Sequence, residues 1–397
     1  MFDLPISKNS MNKTNSRKIG IVDLRPNIYK VGIWKQLYAD TDGNTHVYFL
    51  SDDGVKTKNF DSEFNVYRKS DTWLLENFDF SFPKNLSKAQ HRFIKFICPK
   101  VIVDIIAGKH DAILVHGYDN LTYLLSIFIA KAFGVKVFLR GEAVLRGNEE
   151  SKKLKHYYLK ILLKIPEVIF YSCEGNKDYW KYYGVSEDKL TPIPCSVDNN
   201  FYQNQRKLYD PQQIRKELEI SSDLFIVSFA ARFTPRKNGI RLIETVSKIE
   251  NNKILLLFIG DGPERSQMEA VAKSKGVNAM FVGFKDQKEI SKYYSIADAG
   301  VIISSYDPSP KVLNESMNFG IPMIVFENIG TSRDLIFNNV NGYSIPYGNY
   351  YELGEKLRLL STNPLKAKQM GEMALQTVSK FTFKKNVHYI LQKLNNN

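Results

Sequence analysis

The sequence predicts an α/β protein built from two doubly wound domains. Its 397 residues suffice for two domains with separate cores, since domains commonly hold roughly 100–200 residues. Short runs rich in Val, Ile, Leu and Phe alternate along the chain with helical patterns. This alternation is typical of βαβ units whose parallel strands are covered on both faces. A polar stretch near the middle of the chain separates two sets of such units.

The apolar runs have the length and composition of buried strands. They lie at residues 18–24, 45–50, 112–116, 136–140, 168–172, 225–230, 254–260, 280–283, 300–304 and 322–326. The most apolar window, 121–139, is interrupted by Lys131, Gly134 and Lys136. We therefore expect a buried helix followed by a strand in this window, and not a membrane span.

Composition shifts set the expected domain boundaries. Residues 1–17 form a polar, flexible tail that lacks the apolar core of a signal peptide. Residues 18–200 form the first Rossmann-like domain, residues 201–222 a polar linker and residues 223–380 the second Rossmann-like domain. The remaining segment, 381–397, has a helical pattern.

The charge balance indicates an anionic partner. Lys and Arg number 55 against 42 Asp and Glu, and the surplus of +13 is spread over both halves. A phosphorylated ligand, a lipid surface or a nucleic acid would each fit such a surplus. The three cysteines, Cys98, Cys173 and Cys195, have no metal-site spacing. This argues against a zinc ribbon or a disulfide framework and fits a reducing compartment.

The segment 230–239, AARFTPRKNG, places two cations after a predicted strand. Arg232 stands at the carboxyl end of that strand, and Lys237 at the start of the next helix. Ligands of open α/β sheets collect at the carboxyl ends of the strands. A guanidinium and an ammonium beside a helix N-terminus can hold a diphosphate there. The alternative is a pair of solvated surface cations.

A second candidate site lies in the segment 304–326. Asp307 follows a predicted strand, and Glu315 lies eight residues later inside a helix. The first backbone N–H groups of that helix, at Lys311 and Val312, can bind an anion. Alternatively, Asp307 is a turn former before a proline and Glu315 an exposed helix residue.

A Gly-Asp-Gly-Pro turn at 260–263 follows a third strand. It lacks the third glycine of a dinucleotide fingerprint. On its own, it predicts a tight turn between a strand and a helix.

In order, spacing and flanks, these segments resemble the glycosyl transferases group 1, which are retaining glycosyltransferases of family 4 with the GT-B fold. The resemblance implies two Rossmann-like domains that face a central cleft. It covers most of residues 223–360 and, more weakly, the segment 193–198. It rests on Arg232 with Lys237, the turn 260–263, Val282-Gly283-Phe284, Ala297-Asp298, Asp307-x7-Glu315, Gly320-Ile321-Pro322 and a reduced turn at 330–334.

The resemblance implies a role for each group. Arg232 and Lys237 would hold the donor diphosphate and stabilise its growing charge without a metal. Glu315 would accept hydrogen bonds from the donor ribose, and Asp307 would hold hydroxyls of the transferred sugar. No cofactor is implied, because the nucleotide sugar is a substrate. Further donor contacts are expected from Gly260, Val282, Gly283, Phe284, Ser309, Lys311 and Val312.

Two features depart from the family pattern. Asp307 stands where the family has Glu, which shortens the side chain by one methylene and changes the hydroxyls within its reach. Pro308 and Pro310 flank Ser309 in a turn that is usually rich in glycine, and neither proline has an N–H to donate to a phosphate. These departures motivate a second hypothesis, a non-catalytic nucleotide-sugar-binding subunit of a glycan-assembly complex.

The resemblance places the acceptor side in the first domain. Where family members often carry a His, this chain has Arg140, Gly141 and Glu142. Arg140 would contact the donor phosphate and Glu142 the acceptor hydroxyl, or the two form only a salt bridge. His116, at the end of the strand 112–116, is either an acceptor contact or a structural His.

The segment 23–37 matches the acceptor-side loop of the family. Gly32 would allow close approach there, and Tyr29, Lys30 and Trp34 would line that side. The C-terminal helix would cross back to pack on the first domain.

Two stretches without acidic residues, 84–100 and 152–164, explain much of the charge of the first domain. Read as helices, both are basic and amphipathic. Such helices can lie on an anionic membrane, or they face the core with a solvated basic back. The apolar stripes would be Leu86, Ala89, Phe93 and Ile97 in the first, and Leu154, Tyr158, Ile161 and Ile165 in the second.

The main hypothesis is a retaining, metal-independent hexosyltransferase. It would move a hexose from a UDP- or GDP-hexose to a glycan or lipid-linked acceptor in surface polysaccharide or glycolipid assembly. It would be cytoplasmic, with an anionic membrane surface as a further partner on the inner face of the membrane. Nucleic acid is not expected as a partner, because the sequence has no DNA- or RNA-binding motif.

Overall fold

The computed structural model describes residues 17–53, 59–61, 66–68, 72–147, 153–250 and 253–396. The expected tail, 1–17, lies outside the described residues except for Arg17. Within them, two parallel sheets are each covered by helices. This is the doubly wound α/β architecture that the sequence predicts.

The first domain contains one large sheet. Its elements are β1 (Ile19–Asp23), α1 (Ile28–Asp40), β2 (Thr45–Phe49), β3 (Asn59–Asp61), β4 (Val66–Arg68), β5 (Asp79–Ser81), α2 (Pro99–Ile106), β6 (Ala112–Val115), α3 (Leu121–Ala132), β7 (Lys136–Arg140), α4 (Lys153–Leu162), β8 (Val168–Tyr171), α5 (Glu174–Tyr182) and β9 (Leu190–Pro192). The parallel sheet has the order β5-β2-β1-β6-β7-β8-β9, and β3 and β4 form a separate antiparallel pair. A core cluster lies on each face, with Trp34 in one and Trp180 in the other.

The prediction of a helix over 84–100 is wrong. Most of this stretch is irregular, with one short 3₁₀ turn at Arg92–Ile94, and α2 begins only at Pro99. The Asn85 carboxamide oxygen accepts hydrogen bonds from the backbone N–H groups of Ser87 (3.0 Å) and Ile97 (2.9 Å). Such side-chain bonds satisfy the backbone in a closed loop and compete with a helix.

The helix expected over 152–164 is confirmed as α4, but of its expected apolar stripe only Ile165, just beyond the helix, packs against the core. Leu159 and Leu162 are buried instead. Leu154 is 88% exposed and Ile161 65% exposed. The core-facing alternative is therefore wrong for these side chains.

The second domain follows directly. Its elements are α6 (Asn199–Leu208), α7 (Pro211–Glu217), β10 (Phe225–Ala230), α8 (Gly239–Val246), β11 (Ile254–Ile259), α9 (Arg265–Ser274), β12 (Ala279–Phe281), α10 (Gln287–Tyr294), β13 (Ala299–Ile302), α11 (Lys311–Asn318), β14 (Met323–Phe326), α12 (Ser332–Leu335), β15 (Gly342–Ile345), α13 (Tyr350–Thr362), α14 (Pro364–Val378) and α15 (Phe383–Asn395). The parallel sheet has the order β12-β11-β10-β13-β14-β15. The segment expected as a linker, 201–222, is largely helical, and α6 packs against α10 and α11.

Helix α15 joins the two domains. It packs against α1 and β9, and Val387, Ile390 and Leu394 enter a core of the first domain. Gly32 in α1 faces the ring of Phe383, since a Cβ at Gly32 would lie 2.2 Å from a ring carbon. The close approach that Gly32 allows here is therefore between two helices.

Candidate functional site

The loops that follow β10 and β13 form the centre of the site on the second domain. The strand order reverses between these neighbouring strands, which is where open α/β sheets form a ligand crevice. The two loops are held together because the Arg236 carbonyl accepts from the Ser305 N–H (2.8 Å) and the Asn238 carboxamide donates to the Ile303 carbonyl (2.7 Å). The crevice is thus walled by loops that support each other.

Lys237 and Asp307 meet in this crevice. The Lys237 Nζ lies 2.5 Å from Asp307 Oδ2, and the two side chains are only 15% and 13% exposed. Lys237 is therefore not a solvated surface cation. Arg232 is partly buried on the same loop. The structure thus brings together the groups expected to contact the donor diphosphate and the transferred sugar.

The Gly-Asp-Gly-Pro turn supports the loop that carries Arg232. Gly260 has φ 141°, and a Cβ there would lie 1.9 Å from the Ala231 carbonyl oxygen. A Cβ at Gly262 would lie 2.5 Å from the Phe233 carbonyl oxygen. The Gly260 N–H also donates to the Gly283 carbonyl at 2.9 Å. Both glycines are required because the backbones of neighbouring loops come close together.

Glu315 is a buried carboxylate and not an exposed helix residue. The residue is 4% exposed. Its Oε1 accepts from the Tyr29 hydroxyl at 2.7 Å, and its Oε2 from the Tyr294 hydroxyl at 3.2 Å. Burial raises the pKa of Glu315, and the hydrogen bonds from the tyrosines partly oppose this. Sequence analysis did not foresee that Tyr29, from the first domain, contacts this carboxylate.

Lys311 turns its side chain toward the first domain. Its Nζ lies 2.9 Å from Ser309 Oγ, 3.0 Å from Cys195 Sγ and 3.9 Å from Glu142 Oε1. Burial acts to lower the pKa of Lys311, but the neighbouring Cys195 and Glu142 raise it overall. Elsewhere on this edge Phe284, one of the expected donor contacts, is 41% exposed.

The first domain presents a second cluster at the carboxyl ends of β1, β6 and β7, which are neighbours in the sheet. It comprises Asp23, His116 and Arg140, all with buried side chains. The Lys30 Nζ donates to Asp23 Oδ1 at 2.9 Å, and His116 Nδ1 lies 4.0 Å from Asp23 Oδ2. Burial, followed by the cations Lys30, Arg140 and Lys311, holds the pKa of His116 well below its usual value, so this His is neutral at neutral pH.

Several atoms of this cluster have no hydrogen-bond partner among the described residues. They are Asp23 Oδ2, His116 Nδ1, and Nε and Nη1 of Arg140. Sequence analysis did not single out Asp23, although a charged residue that ends the apolar run IGIVD is a usable signal. Because buried polar atoms normally find partners, these atoms mark a place for a ligand or water.

Arg140 and Glu142 lie on the same side of the cleft. Arg140 Nη2 is 3.6 Å from Glu142 Oε1, which is too long for a direct hydrogen bond. Burial acts to raise the pKa of Glu142, but Lys311, Arg140 and Lys30 lower it to about 2. Glu142 is therefore an ionised acceptor at neutral pH. Together with Tyr29, these residues line a small cavity between the domains.

Two expectations for the acceptor side need correction. The segment 23–37 is a loop only as far as Asn27, because α1 begins at Ile28. Trp34 lies on the core face of this helix and is 0% exposed, so it does not line the cleft. Tyr29 and Lys30, in the first turn of α1, do face it.

Two Rossmann-like domains with their functional strand ends turned to a shared cleft define the GT-B class of protein. Residues 210–377 match the family model described as glycosyl transferases group 1. This match confirms the resemblance to the glycosyl transferases group 1 that the motifs of the second domain predict.

A solved structure shares the fold of this chain, and a known glycosyltransferase shares part of its sequence. The structure of Anabaena HepE in complex with UDP superposes with a TM-score of 0.73 at 15% identity, over 95% of this chain and 99% of that one. The lipopolysaccharide core biosynthesis glycosyltransferase LpsD of Rhizobium meliloti is 29% identical over 170 residues, which are 42% of this chain and 48% of LpsD. The match thus spans about half the length of LpsD.

A third relative is matched over more of its length. It is the Campylobacter jejuni GalNAc-alpha-(1->4)-GalNAc-alpha-(1->3)-diNAcBac-PP-undecaprenol alpha-1,4-N-acetyl-D-galactosaminyltransferase, 24% identical over 66% of this chain and 78% of that protein.

Two kinds of feature are absent from the described ranges. None of the helices in them combines the length and apolar character needed to cross a bilayer. Those same ranges contain no group of three or more His, Cys, Asp or Glu side chains arranged to hold a metal ion.

Proposed function

We propose that this chain is a retaining glycosyltransferase that moves a hexose from a nucleotide-sugar donor to a glycan or lipid-linked acceptor in surface polysaccharide or glycolipid assembly. The observation that carries the proposal is the pairing of Lys237 with Asp307 at the switch point of the second sheet, opposite the charged strand ends of the first. The relatives support it, since LpsD is named for lipopolysaccharide core biosynthesis and the HepE structure holds UDP.

The mechanism follows from the charges at the cleft. Arg232 and Lys237 bind the donor diphosphate and stabilise the negative charge that grows as the bond from the sugar C1 to the diphosphate oxygen breaks. The acceptor hydroxyl attacks C1 from the same face, so its oxygen forms the new bond with retention. Its proton passes to an oxygen of the departing diphosphate. Asp307 orients the sugar hydroxyls.

Asp307 and Glu315 do not form a glycosidase pair. Hydrolases need two carboxylates that flank one bond. Glu315 is enclosed by Tyr29 and Tyr294, and we assign it to the donor ribose. The charge stabilisation comes from side-chain cations, so we expect transfer to be independent of a metal. Equal rates with and without EDTA would support this, and loss of activity that Mg²⁺ restores would overturn it.

Donor hydrolysis and transfer by variants test the site. We expect Lys237→Ala to lose turnover and Glu315→Ala to bind the donor weakly. Lys273→Ala, at an exposed position on α9, serves as the matched control and should behave as the wild type. Wild-type rates in both site variants would refute the assignment. A thermal-shift screen of UDP-, GDP- and ADP-sugars identifies the base, because a ligand that binds the folded state raises the melting temperature.

The second candidate is a non-catalytic nucleotide-sugar-binding subunit. It is favoured by the replacement of the usual Glu with Asp307, whose short side chain is already paired with Lys237. Donor binding without transfer to any acceptor and without slow donor hydrolysis would establish it. Measurable donor hydrolysis that Lys237→Ala abolishes would exclude it.

We also propose a membrane surface as a partner, with the protein peripheral on the cytoplasmic face. Helix α4 exposes Leu154, Tyr157 and Ile161, and the irregular stretch 84–97 exposes Leu86 (57%) and Phe93 (39%). The same segments also expose basic side chains, namely Lys84, Lys88, Arg92, Lys95, Lys153, Lys160 and Lys164. An apolar patch with a basic rim suits an anionic bilayer.

The two segments flank one loop of the acceptor domain. Arg92 pairs with Asp119, and the Tyr158 hydroxyl donates to the Tyr118 carbonyl at 3.4 Å. A bilayer on this face would bring a lipid-linked acceptor to the cleft. Cosedimentation with phosphatidylglycerol vesicles should fall several-fold in Leu154→Ser/Ile161→Ser, with Leu365→Ser, exposed on the other domain, as control. Equal binding to phosphatidylcholine vesicles would contradict an anionic partner.

A further inference from the structure

Tyr29 is the residue through which the first domain reaches the carboxylate of the second. It lies in the first turn of α1, whose N-cap is Asn27, yet its ring packs against the core of the second domain. Its hydroxyl donates to Glu315 Oε1 at 2.7 Å. A contact between residues 286 positions apart in the sequence thus crosses the cleft inside the proposed donor site.

The two oxygens of Glu315 have partners of different origin. Oε2 accepts from Tyr294, which is 1% exposed and belongs to the same domain as Glu315, and the buried Tyr202 of that domain also lies beside this carboxylate. The partner of Oε1 is Tyr29, which comes from the opposite domain. A buried carboxylate is stable only with hydrogen-bond donors, so a donor that leaves must be replaced by another.

Ribose offers such a replacement. One of its two neighbouring hydroxyls can donate to Oε1 in the place of the Tyr29 hydroxyl, while Tyr294 keeps its hydrogen bond to Oε2. Burial, followed by the charge of Glu315, raises the pKa of Tyr29 well above its usual value. The Tyr29 hydroxyl therefore stays protonated and competes for Oε1 at every physiological pH.

We propose that Tyr29 gates the donor site: its hydroxyl takes the place on Glu315 that a ribose hydroxyl takes, and a nucleoside diphosphate binds by displacing it. The proposal rests on the proposed function, in which Glu315 holds the donor ribose. Tyr29 is followed by Lys30, which pairs with Asp23 at the acceptor edge. Donor binding therefore releases the first turn of α1 beside the acceptor site.

Calorimetric titration of the full chain with UDP, GDP and ADP tests the gate. For the nucleotide that binds, we expect Tyr29→Phe to bind about three- to tenfold more tightly than the wild type. This factor corresponds to the net free energy of one hydrogen bond that no longer competes with the ligand. Tyr294→Phe is the matched control, because it removes a hydroxyl from the same carboxylate without opening the gate, and it should not tighten binding. Unchanged or weaker binding by Tyr29→Phe would overturn the proposal.

A second probe separates a gate from a merely structural role. The gain of Tyr29→Phe should disappear with the 2′,3′-dideoxy form of the same nucleotide, which has no hydroxyl to offer Glu315. A gain of the same size with both nucleotides would contradict the competition. The Glu315→Ala variant distinguishes the two proposals. If its nucleotide affinity equals that of the wild type, the assignment of Glu315 to the ribose fails. If Glu315→Ala binds the nucleotide more weakly but Tyr29→Phe binds it like the wild type, only the gate fails.

Discussion

The two edges of the cleft differ in how their polar groups are satisfied. On the second domain, Lys237 and Asp307 pair at 2.5 Å, and backbone hydrogen bonds join the loops around them. On the first domain, Asp23, His116 and Arg140 are buried with atoms that lack partners within the described part of the chain. The pair of Lys237 and Asp307 is thus complete before a ligand arrives, whereas the cluster on the opposite edge leaves bonds for the ligand to make.

Because of this difference, substitutions at the two edges should affect stability and ligand binding in different ways. A group that is already paired within the protein stabilises the fold, and its removal leaves a buried partner unsatisfied. A buried group that waits for a ligand costs stability, and its removal relieves the fold while it harms binding. The following changes break or sharpen this contrast.

Removal of Lys237 should have the largest effect. Lys237→Met takes away a cation at the diphosphate and leaves Asp307 without its partner, so we expect turnover to fall about 10²–10³-fold and the melting temperature to fall as well. Steady-state transfer kinetics and thermal unfolding measure the two effects. Lys273→Met should change neither, and a variant at Lys237 that is less stable but fully active would contradict the assignment.

The close loop packing of the donor edge gives the next largest effect. Gly260→Ala places a methyl group 1.9 Å from the Ala231 oxygen at a φ of 141°, which should destabilise the protein by about 3 kcal/mol. Gly348→Ala is the matched control. Its φ is 79°, but nothing lies within 4 Å of the new Cβ, so the cost should be about 1 kcal/mol. Denaturant titrations that give equal losses would show that loop contact is not the cause.

Substitution of Arg140 should weaken donor binding but have little effect on stability. Arg140→Met removes guanidinium N–H groups that are expected to meet the donor phosphate, so the KM for the donor should rise about 10–100-fold. The melting temperature should change little, because Nε and Nη1 have no hydrogen-bond partner in the described structure and Lys311 still lies beside the charge of Glu142. A large loss of stability with an unchanged KM would show that Arg140 stabilises the fold and does not bind the donor.

The smallest expected effect lies where the domains meet. Asp334 accepts from the Glu174 N–H at the start of α5 at 3.1 Å, and burial raises the pKa of Asp334 to about 7. Between about pH 4 and about pH 7 the folded chain keeps a proton on Asp334, whereas the unfolded chain has released it. The stability that protonated Asp334 contributes therefore falls as the pH rises from about 4 to about 7. Asp334→Asn should remove about 1–2 kcal/mol of that dependence between pH 5 and pH 8.

Thermal melts of wild type and Asp334→Asn at both pH values isolate the group, because the other titrating residues are common to the two proteins. Parallel pH profiles would show that Asp334 titrates normally.

Local chemistry explains what sequence analysis could predict. The buried strands stand out because each is a continuous apolar run, as in β10 and β11. The donor loops were found because glycines and charged residues recur at fixed positions after those strands. The three-residue edge strands β5 and β9 are too short to give such a pattern.

Contacts between distant segments could not be predicted in this way. The hydrogen bond from Tyr29 to Glu315 and the packing of Phe383 on Gly32 depend on how the two domains meet. The stretch 84–100 has helical spacing of apolar residues, but the side-chain bonds of Asn85 close it into a loop. In α4 the stripe was visible, but only the structure shows that it faces outward.

The most direct test of the central claim is a crystal structure of the protein with the nucleotide sugar that the thermal-shift screen selects. The account predicts the diphosphate within hydrogen-bond distance of Arg232 and Lys237, and the ribose on Glu315 with the Tyr29 hydroxyl moved away. A diphosphate bound at any other place, with the pair of Lys237 and Asp307 untouched, would contradict it.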